Sequence, residues 1–567
     1  MFTTAFRSMT LLVTSLHLHS CASSSESDPP MTTESVVTTG LVATDEPSPE
    51  RAPPLTSEPA SPPRPAAAVE PPLPPIHEAA KNGDLEAVRK LLREGNSVVA
   101  GDSAGWTPLH HAARSGQEAM MALLIEEGTR IDARDYRGYT PILTAATFGQ
   151  AGAVRWLIRR GAQVNIDCEL GLAPIHLACM FDRHEVLRAL LSLNADPSAR
   201  MSFKKNLGPP WVHLQGCRPV HLAAFIGSVT IAKLLIEAGV EIDAQSDAGF
   251  TALHGAAVRA HGDMVDFLLE HGAKVDARNQ IQRTPLHAAA SSSQTAEEIA
   301  DLDVQLKKEF GYGLAAVQAT PVVARLFRTG KDQLRIMKAL LARRADINAR
   351  DADGWTPLAV AAAACEEGQV VDYLLREGAE LETRDSEGFT PLCCAAEKGR
   401  LAPLEVLLRY HASVGVRTRL GKTTLHLAAF SGSAPVVDLL LKTGIEVDAR
   451  DGSGSTALHH AAIAGSEEKV RLLVQAGADP TAKGALNLTP AGWAERMGRL
   501  QVAGLLRELE VKGAQVPGLP NGHHYRIESH ELGGVELFNS RPLSSPDGCH
   551  AAVVVASARH TVVVHDG

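Results

Sequence analysis

The chain has 567 residues, with 55 Lys and Arg against 65 Asp and Glu, for a net charge of −10. That balance argues against a partner held mainly by phosphate neutralisation, as nucleic acids are. Aromatic residues are only 4% of the chain while Ala is abundant, a composition suited to thin, closely packed helices rather than to one thick core. The eight cysteines form no C-x-x-C pair, so neither a zinc knuckle nor a dithiol redox site is signalled.

At the N-terminus, Arg7 precedes a modest apolar run from Met9 to Leu16. The run is too short to cross a bilayer as a helix, but its positive-then-apolar layout is that of a secretory signal. Leu18-His19-Ser20-Cys21 resembles the cleavage box of bacterial lipoproteins, which implies Cys21 as a lipidated residue. His17 and His19 depart from that pattern, because polar rings sit poorly in the apolar region. Residues 22–74 are rich in Ser, Pro, Thr and Glu and cannot bury enough surface to fold, so a disordered tether is expected. A signal at 1–21 places the chain in the cell envelope, lipid-anchored or secreted; an untargeted leader leaves it cytoplasmic.

From residue 75 one phrase recurs. Thr107-Pro108-Leu109-His110 is followed 33 residues later by Thr140-Pro141-Ile142-Leu143, and after another 33 by Ala173-Pro174-Ile175-His176. Later copies begin at Arg218, Thr251, Thr284, Thr356, Thr390, Thr423, Thr456 and Thr489, and Pro75-Ile76-His77 opens the series, making twelve. A fixed period of this length means a stack of one supersecondary unit.

The unit from Asp102 to Asp135 shows why. Thr107 is placed to cap a helix with its hydroxyl. Pro108 occupies the first helical position, where its missing N–H costs nothing. Leu109, Ala112 and Ala113 give a short helix with a small-residue face, and Gly116 ends it in a left-handed cap. Met121, Leu123, Leu124 and Ile125 supply the apolar side of a second helix, closed by Gly128. Ile131 to Asp135 is then extended and leads into a turn at Gly138.

The Thr-Pro-Leu-His-x-Ala-Ala phrase, the mid-repeat Gly, the Leu-Leu pair and the Gly-Ala ending resemble the ankyrin repeat. The resemblance covers residues 75–510, about three quarters of the chain. It implies an all-α repeat solenoid of stacked helix-turn-helix units with β-turn fingers, curved so that turns and first helices line a concave surface that binds other proteins.

Two breaks interrupt the register. Residues 173 to 218 span 45 rather than 33, which places an insertion near 199–217 containing Lys204, Lys205 and Trp211. It reads either as a tolerated surface loop or as a partner contact, an aromatic beside two lysines suiting an interface anchor. Between Thr284 and Thr356 lie 72 residues, which places a second insertion near 291–330. There Thr295 to Glu298 reads as a capping box, and Ile299, Leu302, Leu306 and Phe310 recur at helical spacing.

Function is sought in what the period leaves free. The slot after the turn glycine holds Trp106, Tyr139, Phe250, Trp355 and Phe389, five of the chain's 24 aromatics. Exposed on turn tips they would be interface anchors; the competing reading packs them on the neighbouring turn. Met180, Phe181, Phe225, Ile226 and Phe430 add apolar groups towards the implied groove. The histidines at 77, 110, 176, 221, 254, 287, 426 and 459 share one slot, which points to a structural bond to the turn rather than to a metal site. No nucleophile elbow, P-loop or dinucleotide fingerprint occurs. The tail, 511–567, holds six histidines and a candidate strand at His560 to Val564; a disordered or partly paired segment is expected. The resulting expectation is a scaffold for partner proteins, with no catalytic residue, cofactor, metal, small-molecule substrate or nucleic acid. The alternative makes the repeats a targeting module for an enzyme-like or toxin-like activity in 291–330 or in the tail.

Overall fold

The computed structural model describes residues 73–202, 215–291, 331–512, 525–530, 543–544, 551–557 and 560–566. Cys21, the 22–74 tether up to residue 72, Lys204, Lys205, Trp211 and the stripe from Ile299 to Phe310 lie outside them.

Twelve helix pairs follow one another among the described residues. The second pair is typical, with an inner helix at Pro108–Ser115 and an outer helix at Glu118–Glu126. The series runs from Pro75–Asn82 with Leu85–Arg93 to Pro490–Arg496 with Leu500–Lys512. Paired alanines such as Ala112 and Ala113, Ala145 and Ala146, and Ala223 and Ala224 are fully buried where inner helices stack. Leu124, Leu157, Leu235, Leu374, Leu407, Leu440 and Leu473 face them from the outer helices, also fully buried. One contiguous cluster of buried side chains extends from Ile76 to Leu506, so the core grows along the stack. Cys179, Cys393 and Cys394 belong to this interior as small apolar groups, and burial pushes the thiols of Cys179 and Cys394 upward.

Gly116 ends its helix at φ 74°, a backbone that a side chain rarely adopts. Thr107 caps differently from the expectation. Its N–H donates to Nδ1 of His110, 3.1 Å away, and its hydroxyl lies 2.9 Å from the same nitrogen. At three caps where the histidine is replaced the hydroxyl takes the helix amide: Thr356 accepts from Ala359, Thr390 from Cys393 and Thr489 from Gly492.

The repeated histidines join neighbours as well as capping. His110 Nε2–H donates to Tyr139 C=O, 3.1 Å away in the next repeat; His221 reaches Phe250, His254 reaches Arg283, and His426 reaches Ser455. Each ring accepts at Nδ1 and donates at Nε2, which requires the neutral imidazole. The stack closes across the second insertion in the same way, His287 donating to Trp355 C=O at 3.0 Å. The outer helix of that repeat is Lys331–Ala342, tied back by the Gln333 amide on Ala289 C=O at 2.7 Å.

Beyond the helices, four antiparallel strands form a small sheet: Tyr525–His530, Leu543–Ser544, Ala551–Ser557 and His560–Asp566. The fourth lies between the first and the third, and the second edges the third. The strand expected at His560 to Val564 lies within His560–Asp566. Among the described residues no helix is long and apolar enough to cross a membrane.

Burial lowers the pKa of His110, His176, His221, His254, His287 and His426 to about 4. An unfolded histidine titrates near 6.5, so the unfolded chain binds more protons below that pH. The stabilisation is complete above pH ~6.5 and is lost as pH falls towards 4. At pH 5 each such ring is expected to cost roughly 1–2 kcal/mol. Urea midpoints should therefore fall between pH 7.5 and 5; a constant midpoint over that window would contradict the assignment.

Candidate functional site

Between one outer helix and the next inner helix the chain makes a β-turn finger. In the finger from Asp102 to Trp106, Asp102 N–H donates to Trp106 C=O at 2.9 Å, and Oδ1 of Asp102 accepts from Ala104 N–H and Trp106 N–H, both at 2.9 Å. Asp135, Asp351, Asp385 and Asp451 bind the turns that follow them in the same way. Side-chain acceptance of this kind is why Asp favours such turns.

In Asp102, Asp135, Asp351 and Asp451 the other carboxylate oxygen takes a second donor, and two sources supply it. Trp106 Nε1–H donates to Asp135 Oδ2 of the next finger at 3.0 Å, and Arg283 Nε–H does the same to Asp351 at 3.0 Å. His111 Nε2 lies 2.9 Å from Asp102 Oδ2 and His460 Nε2 2.8 Å from Asp451 Oδ2, each within its own repeat. Burial opposes ionisation of Asp102 and Asp451, but the histidine bond and the turn hydrogen bonds together outweigh it and both carboxyls titrate below the usual range.

Adjacent fingers are bonded along most of the described row. Backbone amides cross at Glu169 to Arg137 C=O, Asp247 to Gln215, Gln280 to Ala248, Ala352 to Ile281, Ser386 to Asp353, Arg419 to Glu387 and Gly452 to Leu420, at 2.7–3.2 Å. A guanidinium of each of Arg134, Arg278, Arg350, Arg384, Arg417 and Arg450 donates to the carbonyl of Asp167, Arg350, Arg384, Arg417, Arg450 and Lys483 in turn. On the other side Asp243, Asp276, Asn348, Glu382 and Asp448 accept the N–H of Lys274, Asp346, Glu380, Ser413 and Asp479. Fingers approach closely enough that a Cβ on Gly249, at φ 77°, would meet Gln280 N at 2.8 Å.

This geometry corrects the expected exposure of the aromatic slot. Trp106 is 8% exposed and Tyr139 3%. Phe250 and Trp355 are half-buried against the main core, and Phe389 packs on Cys393, Val416 and Leu427. The slot points along the stack, so its residues join neighbouring units, as the shared behaviour of Trp106 and Arg283 shows. The groove set divides. Met180, Phe181, Phe225 and Ile226 are buried, with the Arg259 guanidinium 4.8 Å from the Phe225 ring centre. Phe430 is 49% exposed. The groups that do face solvent on the fingers are Tyr136 (74% exposed), Leu420 (63%) and Leu486 (66%), one position or more away from the slot that sequence periodicity singled out. The recurring Asp-Ala-Arg-Asp phrase, at 132–135 and 448–451, carried the signal for the arginine row. Lys204, Lys205 and Trp211 lie in the first insertion, outside the described residues; the finger that bears it closes through Met201 N–H on Cys217 C=O at 2.8 Å.

The ion pair of Arg283 and Asp351 is almost wholly buried. Arg283→Leu leaves the Asp351 carboxylate without its charged donor and is expected to cost ~3–5 kcal/mol. Trp106→Phe keeps the ring and removes one donor, and should cost ~1–3 kcal/mol. Denaturant titration of both variants checks the order; equal, negligible losses would contradict the role given to the slot.

A family model described as ankyrin repeats (3 copies) matches residues 68–135, 131–201, 211–308, 326–418 and 404–484. No curated protein matches the chain. Among solved structures, the crystal structure of the human ASB11 ankyrin repeat domain is 27% identical, with 40% of this chain and 96% of that one covered and a TM-score of 0.34. With its helix pairs, its bonded fingers and a family match across most of its length, the chain belongs to the ankyrin repeat family.

Proposed function

We propose that this protein is a recognition scaffold that holds partner proteins on its finger tips and on the groove-facing ends of its inner helices, without chemistry of its own. Ankyrin repeats are a protein–protein interaction module, and the geometry fits that use. The observation that carries the reading is the combination of a finger row fixed by hydrogen bonds with side chains such as Tyr136, Leu420, Leu486 and Phe430 left to solvent. Large apolar groups on a rigid frame bind with little loss of conformational freedom. The repeated histidines other than His77 are bonded to backbone on both ring nitrogens, and Cys179, Cys217 and Cys365 are buried, with burial pushing the last two thiols up to about 12 and about 11. These groups serve the fold rather than a reaction.

Capture of partners by the full chain, followed by titration of the purified partner, tests the reading. Tyr136→Ser and Phe430→Ser together should weaken binding by ~10-fold or more with little change in stability, a loss of ~1.4 kcal/mol or above. Trp106→Phe should lower stability and leave the affinity of the folded protein unchanged. The reverse pattern would overturn the assignment.

We propose further that residues 1–21 act as a leader with Cys21 as a lipid attachment site, resting on the signal-like layout of that segment. Incorporation of a palmitate analogue into the wild type and its loss in Cys21→Ala are the expected results; equal labelling of both would refute it.

A further inference from the structure

The fingers of repeats ten to twelve differ in charge from the two before them. Residues 417–423, 450–456 and 483–489 hold five cations, Arg417, Arg419, Lys422, Arg450 and Lys483. They hold one carboxylate, Asp451, which is buried against His460. The two preceding fingers instead balance each arginine with acids: Arg350 with Asp351 and Asp353, and Arg384 with Asp385 and Glu387. Outside the three fingers, Glu446 stands 3.9 Å from Arg417 and Asp448 accepts the Asp479 amide. Arg417, Arg419, Arg450 and Lys483 are exposed. The local positive field therefore opposes the net charge of the chain, −10.

Apolar side chains are set into the same region. Leu420 and Leu486 stand on the tips of the tenth and twelfth fingers, among the most exposed large apolar groups described. Phe430 stands out from the end of the tenth inner helix, its ring centre 6.0 Å from that of His460. His460 is bonded to Asp451 of the eleventh finger, so the exposed ring and the basic finger are linked through one buried side chain. The fingers themselves are fixed by the Arg384, Arg417 and Arg450 bonds to the carbonyls of Arg417, Arg450 and Lys483.

We infer that this surface, from Arg417 to Leu486, is the primary docking site of the scaffold and that its partner is an acidic protein segment carrying spaced apolar residues. The inference rests on the recognition function proposed above and specifies where and what the scaffold recognises. Carboxylates of the partner meet Arg419, Arg450 and Lys483, while its apolar side chains cover Leu420, Leu486 and Phe430. Charge complementarity sets register and on-rate, and the buried apolar contacts supply most of the affinity.

The test uses the full chain as bait for a displayed library of random dodecapeptides. Enriched peptides should be net acidic and contain apolar residues. A labelled synthetic copy should lose ~10-fold or more in affinity, about 1.4 kcal/mol, against the triple variant Arg419→Glu, Leu420→Ser, Leu486→Ser, and its binding should weaken with added salt. Circular dichroism should show the variant as stable as the wild type, since all three changes are at the finger surface. Enrichment of neutral or basic peptides, or binding that the triple variant leaves intact, overturns the docking site while protein recognition stands. Absence of any enriched peptide overturns both. Tighter binding of a single-stranded oligonucleotide or of phosphatidylserine vesicles than of the selected peptides would assign the basic surface to another class of ligand and also overturns the inference.

Discussion

The finger-to-finger hydrogen bond is the constraint on which the rest of this protein depends. A solenoid of short helices can bury its alanines and leucines in several registers, because small apolar faces slide past one another at modest cost. A turn whose amides and carbonyls must be satisfied by the turn beside it does not slide. Along most of the described row a finger is joined to its neighbour through the backbone, through an arginine on one side and through a carboxylate or asparagine on the other. Any single exposed bond contributes modestly; their repetition along the stack fixes the register and orients the inner helices.

The same constraint explains where the sequence departs from its period. The first insertion hangs from a finger whose base is closed by Met201 and Cys217. The second enters between an inner and an outer helix, and the links that matter reach over it unchanged: Arg278 to Arg350, Arg283 to Asp351 and His287 to Trp355. Length is tolerated wherever the ladder survives, as loop-closure entropy rises only slowly with length.

Periodicity made the architecture legible. Proline at the start of inner helices, glycine at their ends and histidine in one slot each have a local physical reason that sequence alone supplies. The histidine bond to the turn and the burial of Cys179, Cys393 and Cys394 follow from it. The aromatic slot was misread because composition says nothing about direction. Trp106 and Tyr139 suit an interface anchor by type, yet both point along the stack and are buried. The clue was Arg283, which holds the same slot and would be a strange choice for an apolar anchor. The basic character of the last fingers was readable from residues 417–489, but its meaning needed the structure, which shows Asp451 buried and the leucines exposed.

Recognition by such a scaffold depends on fingers that are ordered before a partner arrives, and hydrogen exchange measures that order directly. In the free full-length chain, the amides of Tyr139, Trp355, Phe389 and Ser455, which donate to finger carboxylates, should exchange as slowly as those inside the neighbouring inner helices. Exchange of these amides within seconds, at the rate of an open loop, would contradict the account.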